Sequence, residues 1–345
     1  MRTAAAGAAA DITSPIQSMS ETSPNSRPPR QIPARWGDRF FELLTKFFAL
    51  FVFSILAAIL VSLFVGSSLT LEKYGTQFIF SSNWDPVQEE FGALVPIYGT
   101  LVTSLVAMVI GVPISFGIAL FLTELAPAWL KRPLGTAIEL LAGIPSIIYG
   151  MWGLFVLVPI FQSYIQPTLI KVLDGVPFFG ALFQGPPLGI GMLTAGVILS
   201  IMVIPFIASV MRDVFELVPA VLKETAYGLG ATTWEVMWKV VLPYTKAGVI
   251  GGVMLGLGRA LGETMAVTFV IGNATRLAVS LMAPGDSLAS SLANEFPDAV
   301  GDSYTRWLME LGLLLFLNRR VCRSLAELHG TALQVTLGRL SCGHR

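Results

Sequence analysis

The chain has 345 residues, of which 54% are hydrophobic and 13% are charged, and its 22 basic and 22 acidic residues give a net charge of zero. So few charges cannot cover the surface of a soluble globule, and the composition therefore indicates a polytopic membrane protein that lies in the lipid bilayer. The balanced charge offers no basic face, so no nucleic-acid partner is expected. The two cysteines form no spacing that is typical of a metal site, and we expect neither a metal nor another cofactor.

Residues 1–40 form the first predicted segment. They are rich in Ala, Ser, Pro and Arg and have no apolar periodicity, a composition that predicts a disordered tail. A signal peptide is the alternative, but Ala4 to Ala10 is not a true apolar core and the next apolar run lies far downstream.

Five apolar segments are long enough to cross a bilayer core of about 30 Å, which requires about 20 residues of helix. The predicted spans are Phe47 to Leu69, Val95 to Leu122, Ile138 to Ile165, Leu188 to Met211 and Ala247 to Ile271. A sixth segment begins near Trp307 but meets Asn318, Arg319 and Arg320 after about a dozen residues, which makes it too short as written. The sequence thus predicts an all-α polytopic membrane protein.

The distribution of Lys and Arg predicts the orientation, because positive charge accumulates on the cytoplasmic side. Of the 22 Lys and Arg residues, 17 fall in one set of compartments and four in the other, with Arg259 left inside a span. The larger set includes the N-terminal tail and residues 212–246. We therefore expect both to be cytoplasmic.

Residues 212–246 carry apolar side chains at helical spacing. Gly228 and Gly230 interrupt this pattern, and Pro243 is expected to end its second half. The segment predicts two short helices with a kink between them on the cytoplasmic surface. An ordinary amphipathic surface helix is the alternative interpretation.

Within this segment the residues ETAYGLGATTWEVMWKVVLP resemble the coupling loop of binding-protein-dependent ABC importer permeases. The family pattern is EAA, then Gly, then a hydrophobic residue two places before Leu-Pro, and the matching positions are Glu224, Ala226, Gly230, Leu242 and Pro243. The resemblance implies that these residues couple the chain to an ATPase. The chain has no GxxxxGK[ST] phosphate-binding sequence, so the ATPase is expected to be a separate polypeptide and this chain is not expected to be an enzyme.

Arg259 stands near the middle of the fifth predicted span, where an arginine costs about 2.5–3.5 kcal/mol on insertion scales. It must therefore face protein or a wet cavity. Glu263, four residues on, would share its helix face. One interpretation is a buried ion pair that only fixes helix packing. The other is that Arg259 offers a passing anion a charge-assisted contact, while Glu263 competes for it and keeps binding weak.

The segments GLGRALGETMAVTFVIGN and GIPSIIYG, together with the coupling loop, are similar to the permease subunits of bacterial phosphate importers over roughly residues 41–316. The resemblance implies a type I ABC importer permease fold with six transmembrane helices, in the bacterial inner (plasma) membrane. It also implies ATP-driven import of inorganic phosphate, with Arg259 and Glu263 as the membrane charges needed for transport. The implied partners are a PstA-like second permease, two copies of a PstB-like ATPase and a PstS-like extracytoplasmic phosphate-binding protein.

Two other functions remain open, a permease for another oxyanion such as sulfate or molybdate and a scaffold that signals phosphate supply. An intramembrane enzyme is the least favoured class, because the first five predicted spans contain no His or Cys.

The C-terminus departs from the family pattern. After Leu317 the apolar helix gives way to a stretch that holds both Cys, both His and five of the Lys and Arg residues. A change of reading frame explains so abrupt a shift, and a diverged amphipathic tail is the alternative. The predicted organisation is a disordered cytoplasmic tail (1–40), the first transmembrane helix and an external loop (41–94), a permease domain (95–318) that contains the coupling segment 212–246, and an atypical tail (319–345).

Overall fold

The computed structural model describes residues 36–74, 77–84, 91–173, 175–176, 179–299, 304–321 and 324, and all its regular elements in these residues are helical. The chain divides into two compact units, Met1–Ala57 and Ala58–Arg345. The predicted disordered tail lies outside the described residues up to residue 35, and helix begins at Trp36, before the predicted end of that tail. Most of the atypical C-terminal tail also lies outside them.

The helices follow one another along the chain, and a long connection of residues 272–287 separates α13 from α14. The first half of the described chain contains α1 (Trp36–Tyr74), α2 (Gln77–Phe80), α3 (Leu94–Leu120), α4 (Ala128–Ala142), α5 (Ser146–Trp152), α6 (Val158–Ile160), α7 (Gln166–Leu173) and α8 (Phe179–Leu182). The second half contains α9 (Met192–Glu216), α10 (Ala220–Gly228), α11 (Thr233–Val236), α12 (Leu242–Leu261), α13 (Met265–Ile271), α14 (Leu288–Glu295) and α15 (304–321). Single π-helical turns lie at Phe121–Leu125, Gly153–Leu157, Phe161–Ile165 and Met237–Val241.

Five helical segments of the described residues are long and apolar enough to cross a membrane, which confirms the predicted number of clear spans. They are Trp36–Ser68, Leu94–Leu125, Ser146–Leu173, Met192–Glu216 and Thr233–Leu261. Helix α15 is not among them, although it continues past Asn318, Arg319 and Arg320 to residue 321. The chain is therefore an all-α polytopic protein.

The bounds of the third span differ from the prediction. Helix α4 ends at Ala142, and the new helix begins only at Ser146, so Ile138 is not the start of the span. Pro145 causes this break, because a proline disfavours helical backbone at the residue before it. The prediction of this span used the average apolar character of residues 138–165, and an average does not reveal a break within the segment.

Helix α9 forms the centre of the packed core. Its inward residues Leu199, Val203 and Ile207 have no exposed surface. Helix α12 packs against it through Gly252 and Gly256, where an added Cβ would press on Val210 and would collide with Ile207. Small residues at such contacts let two helix backbones approach closely. This packing fixes the position of α12, which carries Arg259.

A polar cluster closes the bundle near the N-terminal end of α3. The Asp286 carboxylate accepts hydrogen bonds from the Ser287 backbone N–H at 2.8 Å and from the Ser291 hydroxyl at 2.6 Å. The Leu288 N–H donates to the Thr100 hydroxyl at 2.9 Å. These bonds tie the start of α14 to α3.

Stability is expected to depend on pH through Asp286. Burial raises the pKa of this carboxyl to about 6, with a further contribution from the charge of Glu295. Since an unfolded Asp titrates near 3.9, the folded state holds the proton more tightly. The contribution of the protonated Asp286 carboxyl to the free energy of unfolding is fully present below about pH 4 and is lost as the pH rises through about 6. The loss amounts to roughly 3 kcal/mol.

The measurement is the thermal unfolding midpoint of the detergent-solubilised protein between pH 4 and pH 7. The midpoint is expected to fall by about 5 °C more in the wild type than in Asp286→Asn, whose amide keeps an acceptor for the Ser287 N–H. Equal pH profiles for the two proteins would contradict this assignment.

Candidate functional site

Arg259 lies two residues before the end of α12, beside α5 and α9. Its guanidinium carbon is 5.6 Å from the centroid of the Phe206 ring, within the range of a cation–π contact. It also interacts electrostatically with the Tyr149 hydroxyl, which itself donates to the Leu141 carbonyl at 3.0 Å. The Phe206 ring thus contacts the guanidinium without neutralising it.

The Arg259 guanidinium keeps donors that the protein does not use. Among the residues that the structure describes, it forms no ion pair, and its Nε is buried without a hydrogen-bond partner. The side chain as a whole is only partly buried, so it is not sealed in dry packing. A guanidinium in this state can give a charge-assisted hydrogen bond to an anion.

The predicted geometry of Glu263 is wrong. Helix α12 ends at Leu261, Gly262 is its C-cap and α13 begins at Met265, so Glu263 does not stand one helical turn above Arg259. The break follows from Gly262, because glycine loses more backbone conformational freedom in a helix than other residues do and so stabilises the helix less. Within the described residues the two side chains form no ion pair.

Glu263 instead lies at the start of the next helix. Its Oε1 is 3.5 Å from the Ala266 backbone N, at the edge of hydrogen-bonding distance. A carboxylate is favoured there, because the first N–H groups of a helix are unpaired and carry partial positive charge. The predicted fifth span from Ala247 to Ile271 is therefore interrupted after Leu261, with a guanidinium before the break and a carboxylate within it.

Arg319 also approaches this break, which the sequence did not predict. A Cβ added to Gly262 would lie 3.3 Å from Nη1 of Arg319. Sequence reasoning assigned Arg319 to the atypical tail, and no spacing links it to Gly262. Helix α15 brings it there by continuing past its apolar part.

In the coupling segment, Gly230 follows Leu229, the C-cap residue of α10. It adopts φ +84°, a left-handed conformation that favours glycine. Its N–H donates to the Tyr227 carbonyl at 2.9 Å, and the Ala231 N–H donates to the Ala226 carbonyl at 3.1 Å. These two bonds form a Schellman motif. The glycine of the family pattern thus supplies the backbone conformation that turns the chain after α10.

The other matched residues take different positions around this turn. Ala226 packs against the main core together with Ala231, whereas Glu224 is exposed. Thr232 and Glu235 then form a capping box that starts α11, with the Glu235 N–H 3.3 Å from the Thr232 hydroxyl. The T-x-x-E spacing of this box was present in the sequence and could have been recognised.

The second half of the coupling segment is not a separate short helix. The helix that begins at Thr233 continues through Pro243 and becomes the fifth span, so the predicted end at Pro243 is wrong. The π-helical turn Met237–Val241 comes directly before Leu242 and Pro243, which are the first residues of α12. Its wider ring accommodates a proline that has no N–H and would clash in a regular helix.

Apolar side chains cover the outside of α10 and its flanks. We call this set the coupling surface, and it consists of Leu217, Val221, Leu222, Leu229 and Trp234, all exposed. Leu229 is 84% exposed and Leu217 is 72% exposed. Several large exposed apolar side chains in one short segment are typical of a protein-binding site.

The sequence also gave no indication of Glu124, whose side chain contacts two residues of α10. Its Oε1 lies 2.6 Å from Nζ of Lys223, and its Oε2 accepts from the Tyr227 hydroxyl at 3.4 Å. Glu124 and Lys223 are 99 residues apart, and no local pattern signals such a contact.

The comparisons with known proteins agree with this architecture. Residues 111–294 match the sequence model of the family described as "Binding-protein-dependent transport system inner membrane component". The chain is 63% identical to the phosphate transport system permease protein PstC of Pasteurella multocida, over 84% of this chain and 90% of that protein. It is 58% identical to the PstC protein of Haemophilus influenzae, over 88% of this chain and 96% of that protein.

Solved structures share the fold at low sequence identity. A chain from a bacterial alginate ABC transporter, in complex with an alginate-bound periplasmic protein, superposes with a TM-score of 0.55 at 18% identity and covers 84% of this chain and 95% of its own length. A chain from the inward-facing MetNI methionine ABC transporter gives a TM-score of 0.52 at 17% identity, over 69% of this chain and 94% of that chain.

Proposed function

The chain belongs to the family of binding-protein-dependent transport system inner membrane components, and from this membership we propose that it is the permease subunit of an ATP-driven importer of inorganic phosphate. The observation that carries the proposal is the Arg259 guanidinium, which keeps unused donors beside a break in the fifth span. The choice of phosphate is supported by relatives of 55–63% identity that are named phosphate transport permeases.

The proposed partners follow from the family and from the coupling surface. The ATPase would be a separate PstB-like dimer, since this chain has no phosphate-binding loop of its own. It would bind the exposed side of α10 around Glu224 and Leu229. A PstA-like permease would form the other half of the path, and a PstS-like protein would deliver phosphate from outside. In this arrangement the bacterial plasma membrane holds the chain with its N-terminus in the cytoplasm.

Arg259 and Glu263 have opposite roles in the proposed path. The guanidinium gives a phosphate oxygen a charge-assisted contact, and no acceptor among the residues that the structure describes competes for it. The Glu263 carboxylate occupies the start of α13, where an anion would otherwise be held by the unpaired N–H groups. The Arg259 guanidinium attracts phosphate and the nearby Glu263 carboxylate repels it. Phosphate binding is then strong enough for entry and weak enough for release.

The test is uptake by proteoliposomes that contain the chain with its ATPase, second permease and binding protein. We expect ATP-dependent uptake of radiolabelled phosphate, which unlabelled phosphate inhibits and a tenfold excess of sulfate or molybdate does not. Inhibition by sulfate or molybdate at concentrations similar to phosphate would instead assign the chain to another oxyanion.

A further inference from the structure

We propose that Glu124 is a positioning residue that fastens the coupling helix α10 to the end of the second span, so that movement of the ATPase is passed to α3. This inference rests on the proposed function. It concerns a residue that lies outside the coupling pattern.

The contact geometry is specific to this pair of elements. Glu124 lies in the π-helical turn Phe121–Leu125, which directly continues α3. Its two oxygens receive Lys223 and Tyr227, which are four residues apart and therefore share one face of α10. One carboxylate thus holds one face of the coupling helix at two points.

The ion pair is shielded from water. The Glu124 side chain is 9% exposed and the Lys223 side chain is 17% exposed. The other described ion pairs are more open, and the acidic partners of Arg212 are both more than half exposed. An ion pair with little water around it is weakened less by salt, and the loss of one partner leaves the other charge uncompensated.

Apart from Glu124, α10 contacts α11 and the π-helical turn Met237–Val241. The helix contains no buried residue, and Ala226 is its one apolar side chain that packs against the main core of the described residues. The π-helical turn is itself braced by Lys131, whose Nζ donates to the Thr123 carbonyl at 2.6 Å. Glu124 therefore gives a force on α10 a direct side-chain route to the end of α3.

The experiment compares Glu124→Gln with the wild type in the assembled transporter. The readout is the amount of substrate imported per ATP hydrolysed, which is expected to fall by about tenfold because a hydrogen-bonded charge contact is lost. ATP hydrolysis and the amount of bound ATPase are expected to stay near wild-type values. Lys223→Arg, which keeps the charge, is expected to retain most of the import per ATP.

Glu139→Gln is the matched control. It removes a carboxylate that also pairs with a basic residue of a different helix, Arg212, but in a more exposed position. We expect it to leave the import per ATP unchanged. If Glu124→Gln behaves like Glu139→Gln, the proposal is overturned.

A second measurement does not depend on the transported solute. Amide hydrogen exchange of residues 220–230 in the assembled complex without nucleotide is expected to be about tenfold faster in Glu124→Gln. Unchanged exchange would overturn the role of Glu124. A wild-type complex that imports no phosphate would contradict the proposed function alone, and the exchange rates would still decide on Glu124.

Discussion

Replacing Gly230 with valine is expected to reduce phosphate uptake by at least about thirtyfold, whereas valine at Gly228 is expected to leave it near the wild-type rate. Gly230 has φ +84°, and a β-branched residue in that conformation is a steric outlier that costs about 2 kcal/mol or more. The Schellman bonds to Tyr227 and Ala226 would be lost. The chain would then leave α10 in another direction, and Leu229 would no longer lie in the coupling surface.

Gly228 is the matched control because it differs mainly in backbone conformation. A Cβ added at either glycine has no heavy atom within 4 Å, so neither site is limited by space. Gly228 is the last residue of α10, where valine is a better helix former than glycine. Gly230→Asn provides a second control, since asparagine tolerates the left-handed conformation.

The measurements are uptake by proteoliposomes and the amount of ATPase that remains with the affinity-purified permease. Gly230→Val is expected to insert normally but to lose most of its ATPase. Wild-type uptake by Gly230→Val would show that the backbone conformation at this position does not matter for coupling.

Replacing Arg259 with glutamine is expected to reduce phosphate uptake by about 100-fold, because a hydrogen bond from a charged donor contributes about 1.5–3 kcal/mol. The same change is expected to leave the amount of inserted protein equal or higher, since a charge that costs about 2.5–3.5 kcal/mol on insertion is removed. Loss of transport with full insertion would therefore separate a role in transport from a role in folding.

Arg259→Lys refines this test. Lysine keeps the positive charge but lacks the planar fork that stacks on Phe206, so intermediate uptake is expected. The measurements are initial uptake rates at several phosphate concentrations, together with membrane protein levels. Normal rates in Arg259→Gln would show that the guanidinium only packs against the Phe206 ring.

The sequence predicted the fold class, the number of clear spans and the family, because apolar length and the pattern from Glu224 to Pro243 are local properties. It also located Arg259, since a single charge in an apolar segment is conspicuous. It did not predict the break after Leu261. Hydropathy reports how apolar a segment is, whereas Gly262 ends the helix through its backbone freedom.

The wrong helix end at Pro243 and the missed contact of Glu124 have other causes. A proline usually ends a helix, and the π-helical turn that lets the helix continue here has no recognised sequence signal. The contact between Glu124 and Lys223 joins residues from distant parts of the chain. Only the folded chain brings the π-helical turn Phe121–Leu125 to α10, and one sequence does not reveal such pairs.

The helix from Thr233 to Leu261 is unbroken. One end lies beside the coupling surface and the other end carries the Arg259 guanidinium, so the helix can act as a lever. Thr233 and Arg259 are about 39 Å apart along its axis at about 1.5 Å per residue, so a tilt of about 5° around one end displaces the other by about 3 Å. That displacement equals the length of a hydrogen bond. A small pivot at the membrane surface would thus be enough to make or break the proposed contact between Arg259 and an anion.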